Sequence, residues 1–252
     1  MSENTPSALS RFLVLLYGAL AYFTFLATFL YLIGFAHNFL VPTATSMGNS
    51  ENTVMAVFIN ILLMLLFGIQ HSIMARKGFK DWLTKILPAA AERSTYVLAS
   101  NIVLVVLYFY WQPLNGVVWS VENETLFIGI YTLCALGWGL ALIATFALDH
   151  FELFGLKQIW CNFRGTPMPE PRFHQPLLYR MVRHPLQLGI FLGLWLTPAM
   201  TQGLLLFNIG MTIYIFVGLF YEEKDLVRIF GSVYEEYRKK VPQLIPFLPG
   251  SK

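Results

Sequence analysis

Charge is what this chain has least of. Of its 252 residues only 12% are Asp, Glu, Lys or Arg, while 56% are hydrophobic. A soluble globular domain carries about 25% charged residues, so half that share excludes an ordinary soluble domain and points to a membrane protein. Cysteine is scarcer still. Cys134 sits in an apolar run and Cys161 in a polar loop, so no disulfide framework is possible and both are read as free thiols. The glycine-rich GxGxxG loop of soluble nucleotide-binding folds is missing, and so is any clustered Cys/His spacing that would hold a metal. There is no internal repeat of the kind transporters carry, no low-complexity segment and no soluble second domain. No nucleic-acid partner is expected.

Apolar runs fill the chain instead. A spanning helix needs roughly 20 mostly apolar residues. Phe12–Ala36, Val54–Ile69, Tyr96–Trp111 and Thr125–Leu148 are four candidates. The first is too long for a signal-peptide core and is expected to be retained. The last apolar stretch, Leu186–Tyr221, is too long for one crossing, and Pro198 with Thr201-Gln202-Gly203 interrupts it. Pro and Gly punctuate helices in this way, so the stretch predicts a hairpin of Leu186–Met200 and Leu204–Tyr221. The expected fold is all-α: a polytopic transmembrane bundle of four spans plus a C-terminal helical hairpin and a short cytoplasmic tail. It is read as a single membrane domain over 1–252, with acceptor-side helices in 1–177 and a cofactor-binding hairpin and tail in 178–249.

Basic residues are absent from two loops, and that absence sets the orientation. The loops at 37–53 and 112–124 carry only Glu51, Glu122 and Glu124. All 17 Lys and Arg fall at the N-terminus, between the second and third spans, between the fourth span and the hairpin, and in the tail. Cytoplasmic loops collect Lys and Arg, so both termini are expected in the cytoplasm, in a multi-pass protein of the cell's inner membrane. This holds only if 186–221 returns to the side it left, which supports the hairpin independently of Pro198.

The chemistry-bearing residues gather at helix ends. In Leu178-Tyr179-Arg180-Met181-Val182-Arg183-His184-Pro185 a basic cluster meets an apolar helix start. Pro is favourable in a first helical turn, and a helix N-terminus can present polar groups to a ligand. The hairpin returns at Tyr221-Glu222-Glu223-Lys224. Two carboxylates directly after a membrane helix are costly unless solvated or paired, and the hairpin brings them near Arg183 and His184. Imidazole, guanidinium and carboxylates in one pocket suit a zwitterionic ligand.

Arg183-His184-Pro185, Gly189, Glu222-Glu223-x-x-Leu226, Phe230-Gly231, Tyr234, Tyr237 and Val241-Pro242 with Pro246 resemble the C-terminal half of the isoprenylcysteine carboxyl methyltransferase and phospholipid methyltransferase families. The resemblance covers about residues 178–249. It implies S-adenosyl-L-methionine as cofactor, held by Arg183, His184, Pro185, Gln187, Leu188, Gly189, Tyr221, Glu222 and Glu223. His184 and the backbone around Pro185 would hold the cofactor, and Glu222 or Glu223 would bind its amino or ribose groups. The family usually has Tyr two residues after the Pro; here Gln187 stands there.

Three more helix ends bear polar groups: Gln70-His71-Ser72-Ile73-Met74-Ala75-Arg76, Glu92-Arg93-Ser94-Thr95-Tyr96 and Asp149–Gln158. Each taken alone is more simply a helix cap and interface anchor. As a whole-chain pattern, HSIMAR with DHFELFGLKQ is similar to the bacterial methanethiol S-methyltransferases, and also to NnrU-type membrane proteins. The first resemblance implies methylation of a small volatile thiol to dimethyl sulfide. A thiolate is a far better nucleophile than a thiol, so a general base is needed. The candidates are His150, Asp149 and His71, with the Asp149/His150 pair preferred because a carboxylate adjusts an imidazole's pKa. Arg180 could instead stabilise the thiolate by charge. Two alternatives remain: a lipid or prenylated acceptor, and a non-enzymatic membrane accessory or transport-related role.

Overall fold

The computed structural model describes residues 7–170 and 172–248; Pro249 at the end of the motif-bearing tail and the basic Lys252 lie outside the described residues. In chain order the elements are α1 (Ala8–His37), α2 (Thr53–Met74), α3 (Lys77–Leu83), a 3₁₀ turn (Ala89–Ala91), α4 (Glu92–Tyr110), β1 (Val117–Ser120), α5 (Glu124–Leu148), α6 (His150–Leu153), α7 (Leu156–Arg164), α8 (Leu177–Met181), α9 (Pro185–Trp195), β2 (Ala199–Thr201), α10 (Gln202–Phe230) and α11 (Ser232–Lys240). Among the described residues, five helices are long and apolar enough to cross a membrane: α1, α2, α4 with its preceding turn, α5 and α10. The expected spans are all present, each helix beginning one to four residues before its apolar run, and α4 ends at Tyr110 rather than Trp111. Ser7 caps α1, Asn123 caps α5 and Thr201 caps α10, each side chain accepting from the backbone N–H three residues on. These caps occupy donors that a helix start leaves without partners.

The chain divides into two compact units. In the first (1–44, 58–111 and 150–170), α1 binds α4 along a polar seam. The Tyr17 hydroxyl donates to Thr95 Oγ1 at 3.0 Å, Asn101 Nδ2 donates to the Ala21 carbonyl and to Thr24 Oγ1, and the Tyr108 hydroxyl donates to the Thr28 carbonyl. Positions 17, 21, 24 and 28 share one helix face by spacing. Within lipid, such hydroxyls and amides must find partners inside the protein.

In the second unit (45–57, 112–149 and 171–252) α9 lies against α5 through small residues. A Cβ at Gly193 would meet the Trp138 ring at 2.6 Å, and one at Gly137 would meet the Gly193 backbone at the same distance. Gly189 faces Ala141 in the same manner. Small residues let membrane helices approach this closely.

The hairpin is present, but its first arm is not helical to Met200. The helix stops at Trp195, and Ala199–Thr201 form a strand antiparallel to β1. Pro198 biases Thr197 away from helical geometry, and the extended backbone then finds ladder partners in 117–120. The freed carbonyls at the end of α9 are taken by side chains: Cys134 Sγ donates to Gly193 O at 3.1 Å and Asn208 Nδ2 to Leu194 O at 2.7 Å. Cys134 is thus a buried free thiol with a structural partner, and Cys161 is also free.

Candidate functional site

The foot of the hairpin carries a buried ion cluster in the second unit. Its construction begins with backbone. Arg183 and His184 link α8 to α9, and their N–H groups donate to the carbonyls of Pro242 and Gln243 in the tail. That pins the segment and turns both side chains toward the end of α10. Arg183 Nε donates to Glu223 Oε1 at 2.8 Å, His184 Nε2–H to the same oxygen at 2.8 Å, and the Tyr234 hydroxyl to it at 3.0 Å. Arg183 Nη1 also donates to the carbonyls of Arg238 and Val241, capping the end of α11. Arg183, His184 and Glu223 are each buried.

The two adjacent carboxylates therefore differ. Glu223 has a side chain 9% exposed, and three donors converge on one of its oxygens. The Glu222 side chain is 47% exposed, with Oε1 3.7 Å from His184 Nδ1 and Oε2 accepting from Gln187 Nε2 at 3.3 Å. His184 thus turns Nε2 inward to Glu223 and Nδ1 outward to Glu222. A carboxylate open to solvent, beside an imidazole anchored from behind, is a donor set suited to a cationic or hydroxyl-bearing ligand.

Tyrosines brace the cluster from the tail side. Burial first, and then the Glu223 carboxylate, holds the Tyr234 phenol above its ordinary pKa. Burial pushes Tyr237 up to about 12, against the opposing pull of Arg183. Burial raises Tyr179 too, aided by Glu222 and Tyr237. All three therefore stay protonated donors at neutral pH. The Tyr237 hydroxyl donates to the Tyr179 carbonyl, and the Tyr179 hydroxyl to the Ala144 carbonyl at 3.3 Å.

The other expected cofactor residues scatter around this cluster. Pro185 opens α9 at its first position and is buried. Leu188 packs with Ile215, Leu219 and Leu244, and Gly189 faces α5. Tyr221 is 43% exposed. Arg180 stands outside the ion cluster, exposed, with Nε donating to the Gln175 carbonyl at 3.1 Å.

The proposed bases lie at separate helix ends. Asp149 is the half-buried residue that ends α5. His71 belongs to the first unit and is held at both ring nitrogens. Ser100 Oγ donates to the Tyr96 carbonyl, so it accepts from His71 Nδ1 at 3.1 Å; His71 Nε2 is then left to accept from the Tyr96 hydroxyl. His150, also in the first unit, is 2% exposed and opens α6, with Nε2 2.8 Å from the Tyr22 hydroxyl. Sequence reasoning passed over Tyr22 because it stands inside the apolar run of the first span. The one available signal was a phenol roughly 140° around the helix from Tyr17, off the polar seam. Among the described residues no group of three or more His, Cys, Asp or Glu could hold a metal.

Five apolar helices of crossing length, with buried ions at the foot of a C-terminal hairpin, make the chain an integral membrane protein of the polytopic helical class. It is 46% identical over 241 residues to methanethiol S-methyltransferase 2 of Bradyrhizobium diazoefficiens, covering 95% of this chain and 92% of that one. It is 46% identical over 242 residues to methanethiol S-methyltransferase of Crocosphaera subtropica (96% and 95% covered) and 47% over 250 residues to that of Pseudomonas deceptionensis (98% and 95%). The chain belongs to the methanethiol S-methyltransferase family. No family model matches it, and no solved structure does.

Proposed function

We propose that this chain transfers a methyl group from S-adenosylmethionine to methanethiol, releasing dimethyl sulfide, at the cytoplasmic side of the inner membrane. The observation that carries this reading is 46–47% identity to methanethiol S-methyltransferases across almost the whole chain. The cofactor assignment is supported by the donor set at the hairpin foot. Glu222, with Gln187 beside it, offers an exposed carboxylate to the amino or ribose groups, and His184 Nδ1 lies next to it. Arg183, Glu223 and Tyr234 act behind them by fixing the imidazole. When bound, the cofactor supplies an electrophilic methyl on a sulfonium.

This chain's own task toward the acceptor is to remove the thiol proton, which a general base accelerates roughly 10²–10⁴-fold. We assign that proton to His150, whose Nε2 lies 2.8 Å from the hydroxyl of the half-buried Tyr22. The acceptor and product are small and apolar, so both can pass through lipid. The termini face the cytoplasm in this reading, since all 17 basic residues fall in segments on that side.

Purified protein in detergent, given methyl-labelled S-adenosylmethionine and methanethiol, should release labelled dimethyl sulfide into the headspace. Absence of cofactor binding by calorimetry refutes the reading outright. Binding without dimethyl sulfide transfers the methyl group to a different acceptor class, with lipids the next to test.

A further inference from the structure

We propose that α7, together with Arg11 of α1, is a docking surface for an anionic phospholipid of the surrounding bilayer. The surface lies wholly within the first unit and goes beyond the methyl-transfer reading. Depth in the membrane comes first. Arg11 stands directly before the apolar run Phe12–Ala36, so it marks the level where α1 leaves the hydrocarbon for the headgroups. The chain from His150 to Gly165 runs beside α1 toward that level. His150 Nε2 lies 2.8 Å from the Tyr22 hydroxyl. A Cβ at Gly18 would meet the Ile159 side chain at 2.5 Å, and a Cβ at Gly165 would meet Arg11 Nη1 at 2.7 Å. Tyr22 and Arg11 are eleven residues apart in α1, or roughly 16 Å at 1.5 Å each. The end of α7 therefore sits at the headgroup layer.

What α7 shows outward suits that level. Ile159 is fully buried, whereas Trp160 is 53% exposed and Phe163 and Arg164 are exposed with it. Spacings of three and four residues put these three side by side. The Trp160 and Phe163 rings are 5.9 Å apart, and the Arg164 guanidinium lies 5.9 Å from the Trp160 ring centre. Tryptophan beside a basic residue on an amphipathic helix is the composition of an element lying in the membrane interface.

Charge then selects the lipid. Lys157 of α7 is neutralised by Glu152 at 2.7 Å. Among the described residues no carboxylate stands within ion-pair distance of Arg11 or Arg164. Arg164 directly precedes Gly165, against which the Arg11 guanidinium rests, so one helix end carries two guanidinium groups without a counter-ion. A guanidinium fork matches the paired oxygens of a phosphodiester. A groove of about 460 Å³ opens along the same stretch of α1, lined by Ser10, Leu13, Val14, Tyr17, Leu87 and Pro88. Val14 is three residues on from Arg11 and so shares its side of the helix. A phospholipid has both parts that this surface asks for, a phosphate for the arginines and an acyl chain for the groove. In the orientation proposed above this is the cytoplasmic leaflet, whose surface is negative.

Competition between lipids tests this. Purified protein in neutral detergent is loaded with fluorescently labelled phosphatidylglycerol and titrated with unlabelled phosphatidylglycerol or phosphatidylcholine. Two basic residues at an anionic surface correspond to a preference of roughly thirtyfold, so phosphatidylglycerol should displace the label at that much lower concentration. Arg11→Gln with Arg164→Gln should abolish the preference, and Arg164→Gln alone, at an exposed position, should reduce it about fivefold. Lys80→Gln with Lys85→Gln removes the same charge elsewhere in the unit and should keep it. Sodium phosphate should displace no more label than sodium chloride of equal ionic strength. Equal competition by the two lipids, a preference that survives in the arginine variants, an equal loss in the lysine pair, or displacement by phosphate beyond that of chloride each overturns the proposal. Lipid preference in a protein that makes no dimethyl sulfide refutes the methyltransferase reading alone. Dimethyl sulfide without lipid preference removes this inference alone.

Discussion

Glu222→Gln and Glu223→Gln exchange the same atoms at neighbouring positions, yet they should fail in different ways. Glu223 neutralises Arg183 at 2.8 Å, with side chains 9% and 2% exposed. Removing one partner of a buried pair costs about 3–5 kcal/mol, because the other charge is left without its counter-ion. Arg183 keeps two backbone carbonyls as acceptors, which places the loss near the lower end, about 3 kcal/mol. For a chain of this length that lowers Tm by roughly 6–12 °C. Glu222 is half exposed, and its neighbours are Gln187 and the outer nitrogen of His184, so its loss should leave Tm within about 2 °C of the parent. Its cost should fall on binding. A hydrogen bond to a charged group contributes about 1.5–3 kcal/mol, or roughly tenfold to a hundredfold in Kd for S-adenosylmethionine. Thermal unfolding in detergent and titration calorimetry read the two quantities separately. If Glu223→Gln melts like the parent, or Glu222→Gln binds like it, the division of labour between the carboxylates is wrong.

Gly193→Val should destabilise the second unit by about 3 kcal/mol or more through overpacking, since a Cβ there meets the Trp138 indole at 2.6 Å; a parent-like melting curve would contradict the close α5–α9 approach. His71→Phe removes two hydrogen bonds that pin α2 to α4. It should lower thermal stability by about 2 kcal/mol while the protein that remains folded keeps its kcat, whereas a collapse of kcat at full stability would return His71 to the list of bases. The Tyr237 phenol sits at about 12 in the folded state, against about 10 when unfolded. Its contribution is therefore present below pH 10 and lost as pH rises from 10 to 12, and protease cleavage in 232–244 should increase over that window and return toward the neutral rate on reacidification.

Much of this was legible in the chain. Apolar runs gave the spans to within a few residues because hydrocarbon thickness fixes helix length. The absence of Lys and Arg from two loops forced the hairpin before any geometry was known. That hairpin implied the meeting of Arg183 and His184 with Glu222 and Glu223, which the structure shows. Three things were not legible. The choice between Glu222 and Glu223 depends on a rotation of α10 of roughly 100° per residue, and no local signal states which way the last turn faces. Tyr22 carries its hydroxyl inside an otherwise apolar stretch, where a phenol reads like any other ring. The strand at 199–201 has no alternation of its own; its conformation comes from a partner some eighty residues earlier.

The short first arm of the hairpin follows from the ion cluster. His184 is tied to Glu223 at the foot, and α9 has 11 residues, or roughly 16 Å at 1.5 Å each, about half of a hydrocarbon core. A helix ending at that depth leaves its last carbonyls where water cannot serve them. The polar residues inside the apolar helices then have a reason. Cys134 on α5 and Asn208 on α10 stand where the Gly193 and Leu194 carbonyls emerge, and Trp195 bonds Thr212 one turn further along α10. Below that level the chain turns extended and pairs with β1 to satisfy its backbone. Asn208→Leu should therefore cost more than its hydrophobic gain returns, because it strands the Leu194 carbonyl. A leucine at 208 that left thermal stability unchanged would show that α9 needs no internal cap, and that its length is set by something other than the anchoring of His184.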